Sequence, residues 1–241
     1  SFNPDVVVNF AAQAGLVPQS WVYPEFFYDT NLVLPKRLAG NSYRHFIHIS
    51  SSEVYGRVSK DMIPINEDCR FHPASPYAIS KVGADLIGQH YAQAYGMNIQ
   101  VTRMFTHTGP RRGDVFAESS FAKQIAMIEE RQIDPIIKHG NLESLRTIAD
   151  VRDAVRAYYL LLTVNPQPGS VYNIGGSHTC TIKQVLHTLF MMSDHKVRMF
   201  FEPEEIRFRP LDADLQIPDC SKFKAHTGWE PQIAFDQTMQ D

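Results

Sequence analysis

Residues 46–53 read Phe-Ile-His-Ile-Ser-Ser-Ser-Glu, and this stretch decides the fold class together with the segments on either side of it. Its first four residues form the near-continuous apolar run that is typical of a buried parallel strand. Helical spacing of apolar residues predicts a helix from about 76 to 94, and Gly96 follows it as a stop signal. The apolar runs at 6–10 and 99–104 predict two further strands. Strands that alternate with helices indicate an α/β fold with a parallel sheet, whose ligands bind at the carboxyl ends of the strands.

A tyrosine and a lysine lie four residues apart in Ser-Pro-Tyr-Ala-Ile-Ser-Lys, residues 75–81, so they share one face of the predicted helix. The Lys81 ammonium is predicted to favour the Tyr77 phenolate and to lower a pKa that is about 10 when unperturbed. A tyrosine with a lowered pKa can take a proton from a sugar hydroxyl while hydride leaves the carbon. The pair alone is weak support, because Tyr-x-x-x-Lys is more often an ordinary pair on a helix surface.

Bulk composition excludes several classes of protein. The 241 residues carry a net charge of -3, which gives no reason to expect nucleic acid or an anionic membrane as a partner. There is no long apolar run that would predict a transmembrane helix. Cys69, Cys180 and Cys220 are widely spaced and lack metal-ligand spacing. They are interpreted as reduced thiols of a cytoplasmic protein, and no metal site is predicted.

The pattern changes beyond Pro110, where shorter elements are predicted. The predicted helices are at 116–132, 150–164 and 181–192, and the predicted strands are at 135–139, 171–174, 197–201 and 216–218.

Short motifs spread over nearly the whole chain resemble, in their order, the extended short-chain dehydrogenase/reductase family of nucleotide-sugar epimerases and dehydratases. Within that family the similarity is greatest to the GDP-mannose 4,6-dehydratase and GDP-4-keto-6-deoxymannose reductase branches. Besides the strand end at 48–56 and the segment 75–81, the motifs are Asp5-Val-Val-Val-Asn-Phe-Ala-Ala-Gln, Gly109-Pro-Arg-Arg-Gly, Gly140-Asn-Leu-Glu-Ser-Leu-Arg, Val171-Tyr-Asn-Ile-Gly-Gly, Arg209-Pro-Leu-Asp-Ala-Asp and Thr227-Gly-Trp-Glu-Pro.

This resemblance implies a two-part architecture. Residues 1–109 and 141–175 are expected to form a Rossmann-like parallel sheet with helices on both faces, which binds NAD or NADP. Residues 110–140 and 176–241 are expected to form a smaller, C-terminal substrate-binding lobe. The resemblance also implies a homodimer or homotetramer.

The resemblance further assigns catalytic roles to the strand end and the helix. Ser51, Ser52 and Glu53 occupy the positions of the family's catalytic triplet. Ser51 is expected to bond the sugar 4-oxygen, and Tyr77 to take its proton. Lys81 is expected to hold the phenolate and to bond the nicotinamide ribose. Glu53 is expected to remove the C5 proton and to assist loss of the 6-hydroxyl as water.

Other positions match the family's ligand contacts. The cofactor positions are Ala11, Ala12, Tyr77, Lys81 and Arg112. The substrate positions are Thr106, Lys123, Asn141, Leu142, Arg146, Arg209 and Asp212. Arginine can grip phosphate bidentately, and a carboxylate can accept from both ribose hydroxyls. The resemblance implies a nucleotide-sugar substrate and favours a GDP-linked hexose. Thr106 stands where the family usually has asparagine, and it keeps a donor and an acceptor with a shorter reach.

Two alternatives remain open from the sequence. Within the family, a 4-keto-6-deoxy nucleotide-sugar reductase or an epimerase uses the same Ser-Tyr-Lys residues. From another class, a non-catalytic module would bind nucleotide sugars with the substrate lobe alone. The intact set of Ser51, Glu53, Tyr77 and Lys81 favours an enzyme.

Neither Gly-x-Gly-x-x-Gly nor Gly-x-x-Gly-x-x-Gly occurs in the 241 residues. The family has this glycine turn in leading βα units of about 60 residues, ahead of the strand that begins at Asp5. We therefore expect those units to be absent from this chain, and the choice between NAD and NADP is not predicted. Residues 30–42 are expected to form an irregular connection, because Pro35 interrupts a helix.

Overall fold

A computed structural model describes residues 4–14, 17–39, 43–193 and 198–241. Its strands are β1 (Val6–Asn9), β2 (His45–Ile49), β3 (Ile99–Met104), β4 (His107–Thr108), β5 (Ile136–His139), β6 (Leu145–Asp150), β7 (Val171–Ile174), β8 (His178–Thr181), β9 (Phe200–Pro203) and β10 (Leu215–Gln216). Its α-helices are α1 (Val17–Ser20), α2 (Pro24–Tyr28), α3 (Leu34–Ala39), α4 (Pro76–Tyr95), α5 (Ala117–Glu129), α6 (Val151–Thr163), α7 (Ile182–Met192), α8 (Ser221–Thr227) and α9 (Phe235–Gln240).

The main sheet is parallel and has the strand order β1-β2-β3-β7. Successive side chains of a strand point to opposite faces, and β2 is apolar on both. Phe46 shares an apolar cluster with Ile99 and with Ala92 of α4 on one face. Ile47 shares another cluster with Leu161 of α6 on the other face. Helices therefore cover both faces, which confirms the predicted α/β class.

A second sheet is built around β6. This strand pairs in parallel with β10 and β4 and antiparallel with β8. A separate two-stranded sheet joins β5 to β9. Of residues 141–175, β7 therefore belongs to the main sheet and α6 packs against it, whereas β6 belongs to the second sheet. The strand predicted at 197–201 begins instead at Phe200, and Val197 lies outside the described residues. The domain boundaries themselves stay a prediction.

Helix α4 has a well-defined cap at each end. The Ser75 hydroxyl accepts a hydrogen bond from the Ala78 amide at 3.0 Å, which satisfies one of the free N–H groups of the first turn. Gly96 ends the helix in the left-handed region at φ 64°, a conformation that glycine adopts without strain. The predicted stop signal is confirmed. The two caps fix the register of the helix that carries Tyr77 and Lys81.

The connection expected to be irregular contains a π-helical turn at Asp29–Val33, between α2 and α3. Pro35 is the second residue of α3, where its missing N–H is tolerated. Asn31 lies in the π turn and is fully buried. Its side chain accepts from the Gln13 amide at 2.7 Å and donates to the Ser80 hydroxyl at 3.0 Å. The irregular turn thus fastens α4 to the segment that follows β1.

A buried ion pair joins α4 to β3. Arg103 Nε lies 2.9 Å from Asp85 Oδ2, and the two side chains are 3% and 0% exposed. Arg103 also donates to the Tyr55 hydroxyl and to the Glu67 carbonyl, each at 2.9 Å. The Tyr55 hydroxyl in turn donates to Asn173 Oδ1 of β7 at 2.7 Å. Since a broken buried pair leaves an uncompensated charge, this network holds α4 firmly against the sheet.

Candidate active site

The candidate site lies at the carboxyl end of β2, where ligands of parallel sheets bind. After Ile49 the chain enters a 3₁₀ turn at Ser52–Val54. The Ser51 hydroxyl caps this turn by accepting from the Glu53 amide at 3.2 Å. Ser52 is buried, whereas Ser51 and Glu53 are partly exposed. The turn therefore exposes Ser51 and Glu53 at the carboxyl end of the sheet and buries Ser52 in the packed interior.

Tyr77 meets this strand end from the first turn of α4. The residue is 7% exposed, and its phenol is hydrogen-bonded with Ser51. Burial raises the pKa of Tyr77 to about 12, against the lowering effect of the hydrogen bond with Ser51. The prediction that Lys81 lowers this pKa is therefore wrong for this arrangement. Helical spacing placed the two residues on one face, but desolvation of the phenolate is the larger effect.

Lys81 is directed at the backbone of β2. Its ammonium donates to the Ile49 carbonyl at 2.7 Å, and the residue is 4% exposed. Burial lowers the pKa of Lys81 to about 8, opposed by the Asp85 carboxylate one helical turn away. An ammonium has three donors and Ile49 uses one of them, so others can serve a ribose hydroxyl. The buried Tyr77 and Lys81 lie at the carboxyl end of the sheet, and they thus fit the nicotinamide end of NAD or NADP.

A chain of charged side chains links Glu53 to the C-terminal part of the molecule. Arg209 Nη1 lies 3.3 Å from Glu53 Oε1 and 3.3 Å from Asp212 Oδ1. Arg146 Nη2 lies 3.5 Å from the same Asp212 oxygen. The four side chains are shielded, with exposures of 17% for Glu53, 27% for Arg209, 18% for Asp212 and 10% for Arg146. Burial lowers the pKa of Arg209, but the Glu53 and Asp212 carboxylates outweigh it and leave that pKa raised.

Asn141 extends this network. Its side-chain amide donates to Ser144 Oγ at 3.0 Å and to Asp214 Oδ1 at 3.1 Å. Ser144 donates to Asp212 Oδ2 at 3.2 Å. The neighbouring Leu142 packs instead against the apolar cluster between α5 and α7. Polar and apolar residues therefore stand side by side at the end of β5.

Other predicted site residues lie apart from this network in their described contacts. Lys123 is exposed and forms an ion pair with Asp114. The Arg112 side chain donates to the His107 carbonyl, and its guanidinium lies 3.7 Å from the centre of the Phe116 ring. Their roles as substrate and cofactor contacts stay predictions.

Three predicted positions lie in the loops that follow β1 and β3. The Ala11 amide donates to Asn9 Oδ1 at 3.2 Å, just beyond β1, and the neighbouring Ala12 is half-buried. Thr106 separates β3 from β4, and its carbonyl accepts from the Ala149 amide at 2.9 Å. Both loops lie at carboxyl ends of main-sheet strands, and the ligand contacts of these residues stay predictions.

Two residues that were not predicted from the sequence hold the site in place. Asn31 anchors Ser80 of α4, and nothing in its sequence context separates it from an ordinary loop asparagine. Asp85 lies beneath Lys81, and here the sequence does carry a signal. Tyr77, Lys81 and Asp85 follow one another at intervals of four, so they form a single helical stripe.

Within the described ranges, no group of three or more His, Cys, Asp or Glu residues is arranged to hold a metal ion. Cys69, Cys180 and Cys220 are free thiols.

In the part of the chain that the structure describes, no helix has the length and apolar character needed to cross a bilayer.

Known proteins resemble this chain over most or all of its length. The family model described as GDP-mannose 4,6 dehydratase matches residues 1–241. The GDP-6-deoxy-D-mannose reductase of Pseudomonas aeruginosa is 29% identical over 244 residues, which cover 98% of this chain and 78% of the relative. The GDP-mannose 4,6 dehydratase of Drosophila melanogaster is 29% identical over 215 residues, which cover 81% of this chain and 53% of the relative. The solved structure of RMD from Pseudomonas aeruginosa complexed with NADPH has a TM-score of 0.87 at 28% identity, covering 98% of this chain and 79% of that one.

The chain belongs to the GDP-mannose 4,6-dehydratase family, within the NAD-dependent epimerase/dehydratase enzymes. This confirms the family resemblance drawn from the motifs. It also confirms the predicted cofactor class, since the family is NAD(P)-dependent.

Proposed function

We propose that this chain catalyses the 4,6-dehydration of a GDP-linked hexose, with GDP-mannose as the favoured substrate. The observation that carries the proposal is the meeting of Tyr77 and Glu53 at Ser51. The Ser51 hydroxyl is hydrogen-bonded with the Tyr77 phenol and accepts from the Glu53 amide. One strand end thus holds an acid–base phenol beside a separate carboxylate, and dehydration needs both.

The phenol and the hydroxyl serve the first half of the reaction. Ser51 bonds the sugar 4-oxygen, and Tyr77 accepts the proton of that hydroxyl. When bound, NAD or NADP supplies the hydride acceptor at C4, returns the hydride at C6, and in its oxidised form places a positive charge that favours the Tyr77 phenolate. Lys81 orients the ribose with the donors that Ile49 does not use.

The carboxylate serves the second half. A ketone at C4 acidifies the C5 proton, because the resulting carbanion delocalises into the carbonyl. Glu53 removes that proton, and the 6-hydroxyl leaves as water. The proton gained by Glu53 goes to the leaving hydroxyl. C5 takes up one proton when hydride returns to C6, and this matches the proton that Tyr77 accepted, so protons balance over the whole reaction.

Residues of the charged network are proposed to hold the nucleotide. Arg146 and Arg209 bind the diphosphate, and Asp212 accepts from the ribose hydroxyls. Asn141 and Leu142 lie against the base, where the structure sets an amide beside an apolar surface. Thr106 and Lys123 complete the proposed substrate contacts, while Ala11, Ala12 and Arg112 complete those of the cofactor.

A reductase acting on a 4-keto-6-deoxy nucleotide sugar is the second candidate. It is favoured by the GDP-6-deoxy-D-mannose reductase of Pseudomonas aeruginosa, which aligns with 98% of this chain. A reductase needs Ser51, Tyr77 and Lys81 but no base at C5. The two candidates therefore differ in what Glu53 does.

We also propose a homodimer or homotetramer. Helices α2 and α4 contact each other, yet their outer faces leave large apolar side chains in solvent. Phe26 is 56% exposed, Ile79 49% and Leu86 51%. Ile79 and Leu86 are seven residues apart and share one helix face. Burial of such a face against a second copy supports this assembly.

The experiment that separates the candidates is a single turnover of Glu53→Gln with GDP-mannose and NADP or NAD. A dehydratase lacking its C5 base should oxidise C4 and then stall, so absorbance at ~340 nm rises by up to one equivalent per site and does not decay. Glu143→Gln, at an exposed position of the loop after β5, is the matched control and should show no stalled signal. Release of dehydrated product by Glu53→Gln at the wild-type rate would refute the role of Glu53.

A further inference from the structure

The counter-ion of the Glu53 carboxylate comes from a distant part of the sequence. Arg209 lies 156 residues further along the chain, yet its Nη1 atom is 3.3 Å from Glu53 Oε1. The same Nη1 atom lies 3.3 Å from Asp212 Oδ1. One guanidinium nitrogen is therefore shared between two carboxylates.

The geometry of this sharing is loose. A charge-assisted N–H···O bond is usually about 2.7–2.9 Å long, and both contacts of Arg209 exceed that range. For comparison, the buried Arg103 pairs with Asp85 at 2.9 Å. A diphosphate carries more charge than one carboxylate and fits the guanidinium fork bidentately. Arg209 is thus better matched to a diphosphate than to its present partners.

We propose that Glu53 and the substrate's diphosphate compete for Arg209, so that binding of the nucleotide end releases Glu53 for the sugar end. This inference rests on the proposed function, in which Arg209 binds the diphosphate and Glu53 is the C5 base. In the free protein the ion pair holds the carboxylate in an unreactive contact. In the complex Arg209 no longer holds the carboxylate, so both of its oxygens are free to face the C5 proton.

The competition couples two ends of one ligand. Arg209 acts as a positioning residue for Glu53, because it decides whether that carboxylate is paired or free. By thermodynamic reciprocity, neutralising Glu53 must tighten the binding of a diphosphate. A sugar without its nucleotide leaves Glu53 paired with Arg209. The competition for Arg209 therefore favours reaction of the intact nucleotide sugar.

The test is calorimetric titration of GDP, UDP and dTDP into the protein, which reads binding without turnover. One of the three nucleotides will bind the wild type most tightly, and Glu53→Gln should bind that nucleotide about two- to fivefold more tightly than the wild type does. This factor corresponds to the free energy of a partly exposed ion pair. Arg209→Gln should weaken binding, and adding Glu53→Gln to it should bring no further change, which closes a double-mutant cycle. Glu143→Gln removes an equal charge and leaves both ion pairs of Arg209 intact, so it should bind as the wild type does.

The outcomes separate this inference from the proposed function. Unchanged or weaker diphosphate binding by Glu53→Gln overturns the inference, and so does tightening that persists in the Arg209→Gln background. In both cases dehydration of GDP-mannose by the wild type leaves the proposed function standing. Failure of the wild type to bind any nucleoside diphosphate would contradict the inference and the proposed function together.

Discussion

Replacing Lys81 by methionine should stabilise the protein while it removes activity. The pKa of Lys81 falls from 10.5 to about 8 because the ammonium is buried. A pKa shift of one unit is worth about 1.4 kcal/mol, so this shift destabilises the folded protein by about 3 kcal/mol at a pH where Lys81 is charged in both the folded and the unfolded chain. Loss of the hydrogen bond to the Ile49 carbonyl offsets about 1 kcal/mol of the gain. Lys81→Met should therefore raise the free energy of unfolding at pH 7 by about 2 kcal/mol.

The pH dependence identifies the cause of this gain. Between pH 8 and about pH 10 the unfolded chain binds a proton at Lys81 that the folded protein does not, so wild-type stability rises with pH across that window. Methionine does not titrate, and the advantage of Lys81→Met should shrink steadily towards pH 10. Above that pH, the raised pKa of Tyr77, about 12, makes the free energy of unfolding fall with pH in both the wild type and Lys81→Met, because the unfolded chain loses the phenol proton first.

Urea unfolding followed by circular dichroism at pH 7, 8, 9 and 10 measures this effect. Lys183→Met, at an exposed position of α7, is the control and should change stability by less than about 0.5 kcal/mol at every pH. Destabilisation by Lys81→Met at pH 7, or a gain that is constant with pH, would refute the reasoning.

Three further changes probe the acid–base group and its supports. Tyr77→Phe should leave GDP binding nearly intact and lower turnover ~10²–10⁴-fold, and steady-state rates at wild-type level would remove the residue from the mechanism. Asp85→Asn leaves the buried Arg103 charge uncompensated and should lower the free energy of unfolding, measured in urea, by about 3–5 kcal/mol. A loss under about 1 kcal/mol would show that the ion pair does not stabilise the packing of α4 on the sheet. Asn31→Ala leaves the backbone groups of Gln13 without their partner and should cost about 1–3 kcal/mol, with the thermal midpoint as readout and an unchanged midpoint as the contradiction.

The sequence was sufficient for the central strand–helix–strand unit. Strands β2 and β3 are nearly continuous apolar runs, and Ser75 and Gly96 mark the ends of α4 with side chains and conformations of known preference. Strand β6 escaped prediction because it contains Arg146 and Asp150, which are buried through tertiary contacts that no local pattern reports. The same holds for the π turn at Asp29–Val33, which depends on where Asn31 finds partners.

The sequence predicts that Tyr77 and Lys81 lie together, but it does not predict how their surroundings change their pKa values. Spacing places Tyr77 and Lys81 on one helix face, yet the pKa of Tyr77 depends on burial, which depends on α1, α2 and the strand end. The contact between Glu53 and Arg209 joins residues 156 positions apart, so only the folded chain reveals it. These long-range effects decide how the predicted residues behave.

The most direct test of the proposed dehydratase activity is one incubation of the enzyme with GDP-mannose and a catalytic amount of NADP or NAD. The expected product is a 4-keto-6-deoxy nucleotide sugar, identified by the loss of one water in its mass, with no net change in nicotinamide absorbance. GDP-mannose left unchanged, together with stoichiometric oxidation of NADPH by a 4-keto-6-deoxy nucleotide sugar, would contradict dehydratase activity and assign the chain to the reductase branch.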